Sequence, residues 1–307
     1  MSHPGHVQIL LATYNGSHHL KDQLDSLLAQ TYTDWSLLIH DDGSTDTTLE
    51  ILHDYRDRYP EKIHIIDEPI RFGNASSNFA FLLERSDADY VMFCDQDDVW
   101  LPEKIAKTHA AMKKLEERYP GAPLLVHTDL TVVDQDLNTL DPSFWHYQNL
   151  DPSLKTFNRL LMQNNITGCT VMVNRTLAGL AAPVPEEAIM HDWWLGIVAA
   201  AFGHIDYIHE PTMLYRQHGS NSVGAQKTDL SLILDKLRNP YIIRHNIRQA
   251  EAFLARYETK LSVEYTEILK DFISLEKGSP VKKRLLLTKR GFYKHGLLRN
   301  IGLFVML

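Results

Sequence analysis

The chain has 307 residues, of which 44% are hydrophobic and 23% are charged, and its formal net charge is −8 at pH 7. This composition is typical of a soluble globular protein and excludes a disordered or collagen-like chain, while the acidic balance argues against a nucleic-acid binder. Cys94 and Cys169 are the only cysteines, which excludes a disulfide framework and a cysteine metal cluster. Without a signal-peptide pattern or an apolar run of about 20 residues, we expect a cytoplasmic protein.

Strand and helix patterns alternate along the first 130 residues. Short apolar runs predict strands buried on both faces at residues 7–12, 35–39, 62–66 and 90–94. Apolar residues at helical spacing predict helices at residues 20–28, 49–55, 75–83 and 105–115. Alternation of this kind is typical of a mostly parallel sheet with crossover helices on its faces, so we predict an α/β fold.

The pattern is more mixed in the second half of the chain. The sequence predicts a largely apolar helix at residues 191–202 and short strands at residues 124–127, 170–173, 205–209 and 213–216. A helical pattern then extends from residue 229 to about residue 277, where Gly278-Ser279-Pro280 ends it. We therefore expect one domain over residues 1–225, with halves that meet near residue 130, and a helical C-terminal region over residues 226–307.

Polar residues cluster where the predicted strands end. Tyr14-Asn15-Gly16 follows the first strand, Asp41-Asp42 the second, and Asp95-Gln96-Asp97-Asp98 the fourth. In sheets of this type, ligands bind beyond the carboxyl ends of the strands. The clusters therefore predict a ligand site at that edge of the sheet.

The third cluster places the carboxylates of Asp95, Asp97 and Asp98 close together. Such groups repel one another unless a cation or a raised pKa relieves them. A hard divalent cation with oxygen ligands, Mg²⁺ or Mn²⁺, removes the repulsion and keeps room for phosphate oxygens. The alternative is a solvated acidic loop that caps the next helix. The position at the ligand edge of the sheet favours the cation.

The second cluster, Asp41-Asp42-Gly43-Ser44-Thr45-Asp46, has the composition of a strand-to-helix turn in which Ser44 or Thr45 caps the next helix. One aspartate is enough for such a turn. A second carboxylate can accept a hydrogen bond from the imide N–H of a pyrimidine base. The paired aspartates therefore predict a nucleotide-binding role.

Four motifs in this order resemble the family-two glycosyltransferases of the GT-A fold over residues 7–225: Ala12-Thr13-Tyr14-Asn15, Asp41-Asp42-Gly43-Ser44-Thr45-Asp46, Asp95-Gln96-Asp97-Asp98 and His191-Asp192-Trp193-Trp194. Three later segments resemble the bacterial α-1,3-L-rhamnosyltransferases of rhamnose-polysaccharide biosynthesis: Asn165-Ile166-Thr167-Gly168, Met190-His191-Asp192-Trp193 and Leu214-Tyr215-Arg216-Gln217-His218. The resemblance implies a Rossmann-like, mostly parallel sheet flanked by helices, with a nucleotide-sugar half at residues 1–130, an acceptor half at residues 131–225 and a helical C-terminal extension.

The resemblance also implies roles for individual residues. Tyr14 matches the residue that stacks on the base, Asp42 the residue that hydrogen-bonds it, and Asp192 the catalytic base of inverting members. The implied metal ligands are Asp97, Asp95 and His218, and the implied acceptor residues are Trp193, Gly168 and Thr167. The implied nucleotide-sugar residues are Ala12, Tyr14, Asn15, Asp42, Arg71, Asn78 and Asp95. From position alone, Asp192 is equally well a capping carboxylate of its helix, and Arg216 binds either a phosphate or a carboxylate.

The reaction implied by the resemblance is metal-dependent transfer of L-rhamnose from dTDP-β-L-rhamnose to a lipid-linked saccharide, with inversion to an α-L-rhamnosyl bond. A carboxylate at Asp192 takes the proton of the attacking hydroxyl. One alternative is transfer of galactose, glucose or N-acetylglucosamine from a UDP donor, because the Asp42 contact does not separate thymine from uracil. An alternative of another class is an inactive sugar-nucleotide-binding assembly partner.

The C-terminal tail, residues 281–307, interleaves apolar residues with Lys282, Lys283, Arg284, Lys289, Arg290, Lys294 and Arg299, and it has no acidic residue. On an acidic protein, such a segment predicts attachment to an anionic membrane surface. The alternatives are a helical lid packed on the catalytic domain and a contact between copies, such as a homodimer. With a lipid-linked acceptor, we expect a peripheral protein on the inner face of the cell membrane.

Overall fold

The computed structural model describes residues 5–217 and 241–306. Its strands are β1 (Val7–Thr13), β2 (Trp35–Asp41), β3 (Ile63–Ile65), β4 (Tyr90–Cys94), β5 (Val99–Trp100), β6 (Leu124–Val133), β7 (Thr139–Asp141), β8 (Met172–Asn174) and β9 (His204–Arg216). The helices before the gap are α1 (Leu20–Leu28), α2 (Thr48–Arg58), α3 (Ala75–Arg85), α4 (Lys104–Arg118), α5 (Phe144–Tyr147), α6 (Phe157–Met162), α7 (Arg175–Ala181) and α8 (His191–Phe202). After it come α9 (Tyr241–Tyr257), α10 (Val263–Ile273), α11 (Pro280–Arg290) and α12 (Leu297–Met306), and a short 3-10 helix spans Gly168–Thr170.

The strands form one nine-stranded sheet in the order β3-β2-β1-β4-β8-β6-β9-β5, with β7 beside β6. β1, β2, β3 and β4 are mutually parallel, and β6 and β9 run in the same direction, while β5, β7 and β8 run antiparallel to their neighbours. The predicted mostly parallel α/β sheet is therefore confirmed. Its parallel half brings the carboxyl ends of β1, β2 and β4 to one edge.

The core lies on both faces of this sheet, which explains the continuous apolar runs. Ile9 and Leu11 of β1 enter a cluster with α1, α2 and α4, whereas Leu10 between them enters a cluster with α3, α6, α7 and α8. Successive strand residues point to opposite faces. A strand covered by helices on both faces must therefore be apolar at nearly every position.

The C-terminal helices share the second of these clusters. Phe253 of α9, Phe272 of α10, Leu287 of α11 and Leu303 of α12 all pack into it. The C-terminal region is thus part of the core of the first domain, while the predicted boundary at residue 225 lies outside the described residues. No helix in the described ranges is both long enough and apolar enough to cross a membrane.

Four predicted elements differ most from the structure. The two strands predicted at residues 205–209 and 213–216 are one strand, β9, which continues through Pro211 because its partner β6 shifts register there. The strand predicted at residues 124–127 extends to Val133, because residues 128–133 continue to pair with β9. The single helical segment predicted up to residue 277 is two helices over its described part, because Ser262 caps α10 by accepting from Tyr265 N.

Candidate active site

The turns that follow β1, β2 and β4 are joined by side-chain hydrogen bonds. Asn15 N donates to Ser44 Oγ over 2.8 Å, and Asn15 Oδ1 accepts from Thr45 N over 2.8 Å. Gln96 accepts from Tyr14 N and donates to Tyr14 O, at 2.9 and 3.0 Å. The side chain of Tyr14 is 56% exposed. The three turns therefore form one surface at the predicted ligand edge, with an aromatic ring open to solvent.

The paired aspartates after β2 have separate partners. Asp41 accepts from Gly43 N and Ser44 N and so closes the turn. Asp42 is buried, and its two carboxylate oxygens accept from Phe72 N and Gly73 N at 2.5 and 2.8 Å. The predicted cap by Ser44 or Thr45 is wrong: the N-cap of α2 is Thr47, without a side-chain cap, and Asp46 accepts from Thr48 N instead.

The remaining predicted nucleotide-sugar residues lie around Asp42. The guanidinium of Arg71 crosses Gly43, where a Cβ atom would lie 2.3 Å from Arg71 Nε and where φ is +85°. Asn78 is buried, with its amide oxygen 2.8 Å from His40 Nδ1 and its amide nitrogen donating to His40 O, so it fastens α3 to β2. Ala12 pairs with His40 in the sheet register. Arg71 is the exposed member of this group.

The acidic turn after β4 is backed by buried groups. One ligating atom each from Asp95, Asp98 and Cys169 lies within 4.8 Å of the others. Burial, followed by the charge of Asp97, raises the pKa of Asp95 to about 7, and burial raises the pKa of Asp98 well above its usual range. Asp98 Oδ2 has no hydrogen-bond partner in the described part of the chain. Asp97 is half-buried beside this group, and His218 lies outside the described residues.

These groups fit a hard divalent cation. A positive ion offsets both the burial and the repulsion from Asp97 that raise the pKa of Asp95, and carboxylate oxygens are the ligands that Mg²⁺ and Mn²⁺ prefer. Burial raises the pKa of the Cys169 thiol well above its usual value. The carboxylates of Asp95 and Asp98 supply the oxygen atoms of this group.

Arg216 donates hydrogen bonds to this acidic turn. Its side chain is buried, with Nε donating to Asp97 O over 2.9 Å and the terminal nitrogens donating to Gln135 O and Asp22 Oδ2 over 2.6 and 2.8 Å. Arg216 N also donates to Asp98 Oδ1. The guanidinium therefore binds carboxylate and carbonyl oxygens. Of the two partners considered from sequence, a phosphate and a carboxylate, the structure shows the carboxylate.

Asp192 lies in the first turn of α8, which begins at His191 after the N-cap residue Met190. Its carboxylate is 6% exposed and accepts from Asn164 Nδ2 over 3.1 Å and from Trp193 N over 2.5 Å. Burial raises its pKa to about 6, against the hydrogen bonds from Trp193, Gly168 and Asn164, which lower it. The carboxyl group is therefore ionised at neutral pH and close to the pKa that suits a general base.

The two tryptophans that follow Asp192 have different surroundings. Trp194 is fully buried and donates from Nε1 to Ala181 O over 3.0 Å. Trp193 is half-buried and donates from Nε1 to Leu160 O, so its indole is held against α6. Trp193 is thus the tryptophan with surface left for a ligand, whereas Trp194 belongs to the core.

The 3-10 helix approaches α8 closely at Gly168. A Cβ atom on Gly168 would lie 2.9 Å from His191 Nε2 and 3.4 Å from Asp192 Oδ2. The buried ring of His191 packs between Phe79 and Phe93, with centroids 4.4 and 4.8 Å away. Burial lowers its pKa to about 3, so the ring is neutral. Thr167 precedes this contact and is half-buried.

Sequence reasoning does not assign three residues to the site that the structure places there: Asn164, Cys169 and His191. Asn164 stands directly before the Asn165-Ile166-Thr167-Gly168 motif, Cys169 directly after it, and His191 within the His191-Asp192-Trp193-Trp194 motif. A place in or beside a motif is the signal that the sequence offers for them. The pairing of Arg216 with Asp97 has no local signal, because it spans 119 residues.

Comparisons with known proteins agree with this geometry. The family model described as Glycosyl transferase family 2 matches residues 8–173. The dTDP-rhamnosyl transferase RfbG of Shigella flexneri is 31% identical over 70% of this chain and 74% of its own. TuaG of Bacillus subtilis, named as a putative teichuronic acid biosynthesis glycosyltransferase, is 30% identical over 72% of this chain and 84% of its own.

Solved structures share the fold at low sequence identity. TarS of S. aureus in complex with UDP-GlcNAc gives a TM-score of 0.57 at 15% identity, covering 93% of this chain and 78% of that one. The mannosyltransferase PcManGT of Pyrobaculum calidifontis, in complex with GDP-Man and Mn²⁺, gives 0.52 at 14% identity, covering 97% and 78%.

Proposed function

The chain belongs to glycosyl transferase family 2, and from that membership we propose that it is an inverting, metal-dependent rhamnosyltransferase. Its donor is dTDP-β-L-rhamnose, and its acceptor is a lipid-linked saccharide of surface-polysaccharide biosynthesis, joined in an α-1,3-L-rhamnosyl bond. The name of the Shigella relative supports the donor, and the name of the Bacillus relative supports a saccharide polymer as the product.

The observation that carries the proposal is that the carboxylates of the acidic turn and the carboxylate of Asp192 lie near each other. The charge of Asp192 contributes to the raised pKa of Asp95, so the acidic turn after β4 and the start of α8 lie near each other. The acidic turn suits the diphosphate side of a nucleotide sugar, and Asp192 suits the side of an attacking hydroxyl. Transfer between a donor and an acceptor needs both.

In the proposed reaction, the ionised Asp192 accepts the proton of the acceptor hydroxyl as its oxygen attacks the anomeric carbon. The bond from that carbon to the diphosphate oxygen breaks on the opposite face, so the configuration inverts. Asp95 and Asp97, with His218, would hold a Mg²⁺ or Mn²⁺ ion, whose charge offsets the negative charge on the leaving diphosphate. Asn164 keeps the Asp192 carboxylate oriented through its 3.1 Å hydrogen bond.

We assign the nucleoside end of the donor to the exposed surface at the carboxyl ends of β1 and β2. Tyr14 and Asn15 flank the base, with the Tyr14 ring available for stacking. Asp42 accepts the imide N–H of the base, because a carboxylate held by two backbone N–H donors keeps lone pairs for a third. Arg71 and Asn78 complete the donor side, and Thr167, Gly168 and Trp193 the acceptor side.

Release of the nucleoside diphosphate tests the donor. The purified chain is incubated with Mg²⁺ or Mn²⁺, an undecaprenyl-diphosphate-linked saccharide and, separately, dTDP-L-rhamnose, UDP-glucose, UDP-galactose and UDP-N-acetylglucosamine. We expect turnover with dTDP-L-rhamnose alone, and its loss when the metal is chelated. Turnover confined to a UDP-sugar would overturn the rhamnosyl assignment, and binding of the donors without any transfer would support an assembly partner instead.

A further inference from the structure

Helix α12 is apolar on two opposite faces. Its inner face carries Leu303, which is 7% exposed and packs into the core. Its outer face carries Leu297, Leu298, Ile301 and Val305, which are 75%, 50%, 51% and 76% exposed. At 3.6 residues per turn these four fall within about 100° of the helix circumference. They form a continuous aliphatic stripe, which a helix exposed only to water does not need.

Helix α11 adds further exposed apolar side chains and positive charge. Val281 and Leu285 are 69% and 64% exposed, and Lys282 and Lys289 lie on the same helical face. Arg284 donates to Phe304 O over 3.0 Å and so links the two helices. An apolar groove of about 550 Å³ lies between them, lined by Arg284, Leu297, Asn300, Ile301, Phe304 and Val305.

We propose that the outer faces of α11 and α12 together are a membrane-docking surface whose partner is an anionic lipid bilayer. Aliphatic side chains flanked by lysines match the acyl and headgroup layers of such a bilayer. No acidic residue occurs from Gly278 to Leu307, although the chain as a whole carries a net charge of −8. The positive charge is therefore concentrated where the exposed apolar side chains are.

A bilayer suits this charge pattern better than a second copy of the chain. Two copies related by a two-fold axis present the same patch to each other, which would bring Lys282 and Lys289 of both copies together. Like charges facing each other across an interface are unfavourable. An anionic lipid surface, by contrast, attracts every lysine of the patch.

The docking surface is connected to the candidate base. His295, in the link between α11 and α12, donates from its backbone N–H to Gln163 Oε1 over 2.8 Å. The residue after Gln163, Asn164, donates to Asp192. The link between the two docking helices therefore contacts the segment whose Asn164 binds the candidate base. The benefit of this for a lipid-linked acceptor rests on the proposed function, whereas the docking itself does not.

Vesicle co-sedimentation of the full chain tests the proposal, with phosphatidylcholine vesicles compared against vesicles that also contain phosphatidylglycerol. We expect binding to the anionic vesicles only, weakened by salt, and at least tenfold weaker in the double variant Ile301→Asp, Val305→Asp. A charge variant, Lys282→Glu with Lys289→Glu, is expected to weaken binding similarly. The matched control is Val263→Asp on α10, whose side chain is 78% exposed outside the patch and whose replacement should leave binding unchanged.

The outcomes separate docking from catalysis. Unchanged vesicle binding in both patch variants would overturn the proposal, as would a wild-type chain that binds no vesicles but forms a dimer that Ile301→Asp, Val305→Asp dissociates. Nucleotide release with a water-soluble acceptor should be the same in patch variants and wild type. Vesicle binding without any transferase activity would leave the docking surface supported and remove the proposed function.

Discussion

Burial gives the Asp192 carboxyl a pKa of about 6 instead of the ordinary 3.8, and its hydrogen bonds keep that value from rising further. A proton therefore binds the folded state more tightly than the unfolded state. This proton-linked stabilisation is complete below pH 3.8 and is lost as the pH rises to about 6. At pH 7 the folded protein carries the cost of a buried carboxylate, which is the form that can accept a proton.

We predict that Asp192→Asn lowers kcat by about 10²- to 10⁴-fold, because the amide cannot accept the proton of the acceptor hydroxyl. The melting temperature at pH 7 should stay equal or rise, since the amide has no charge to bury. In the wild type, kcat at saturating metal should increase with pH and level off above about 6. Profiles of kcat against pH and thermal melts of both proteins test this. A loss of kcat that comes with a clear fall in melting temperature would indicate a structural role for Asp192.

The site is predictable from sequence only where its residues are local. Asp42 and Asp192 stand in motifs that the sequence shows directly, so their proposed roles could be assigned before the structure was known. The role of Asn164 could not, because its hydrogen bond to Asp192 spans 28 residues. The role of Arg216 could not either: its terminal nitrogens bind oxygens from Gln135 and from Asp22, and only the folded sheet brings them together.

At the scale of elements, the apolar pattern is enough to predict a strand wherever helices cover both of its faces. β1, β2 and β4 begin at their predicted first residues, since a polar residue precedes each apolar run. The union of two predicted strands in β9 is not predictable, because its pairing with β6 decides it, including the register shift opposite Pro211. Pairing between distant strands leaves no periodic signal in either one.

Contact between two elements explains the glycine at position 168. Because a Cβ atom there would meet His191 Nε2 at 2.9 Å, we predict that Gly168→Ala moves the 3-10 helix away from α8, destabilises the fold by about 1–3 kcal/mol and lowers kcat. Gly179 in the exposed face of α7 is the matched control, because a Cβ atom there would have no such neighbour within 4 Å. Gly179→Ala should be neutral or stabilise by up to about 1 kcal/mol.

Chemical denaturation and steady-state kinetics of the two alanine variants test this contact. The sequence places Gly168 in a motif, but it does not show the close approach to His191 that distinguishes the two glycines. If Gly168→Ala had the same stability and kcat as the wild type, the close approach of the 3-10 helix to His191 would not constrain the site.

At the scale of the whole molecule, the tail takes one of the roles considered from sequence and is proposed to take a second. Leu286, Leu287, Phe292 and Leu303 belong to the core, so this segment packs on the catalytic domain like a structural cover. Its opposite side carries the proposed docking surface. A segment with both roles cannot be removed without consequences for folding.

We therefore predict that deleting residues 279–307 lowers stability severely. Each large side chain lost from a core costs about 2–5 kcal/mol, and four such losses are comparable to the total stability of about 5–15 kcal/mol of a typical protein. Thermal melting and binding of a hydrophobic dye should show early unfolding and exposed core. The double variant Ile301→Asp, Val305→Asp should melt like the wild type, because both side chains are exposed. A truncated chain with the wild-type melting temperature would mean that α11 and α12 contribute little to the core, and only in that case would truncation report on membrane binding alone.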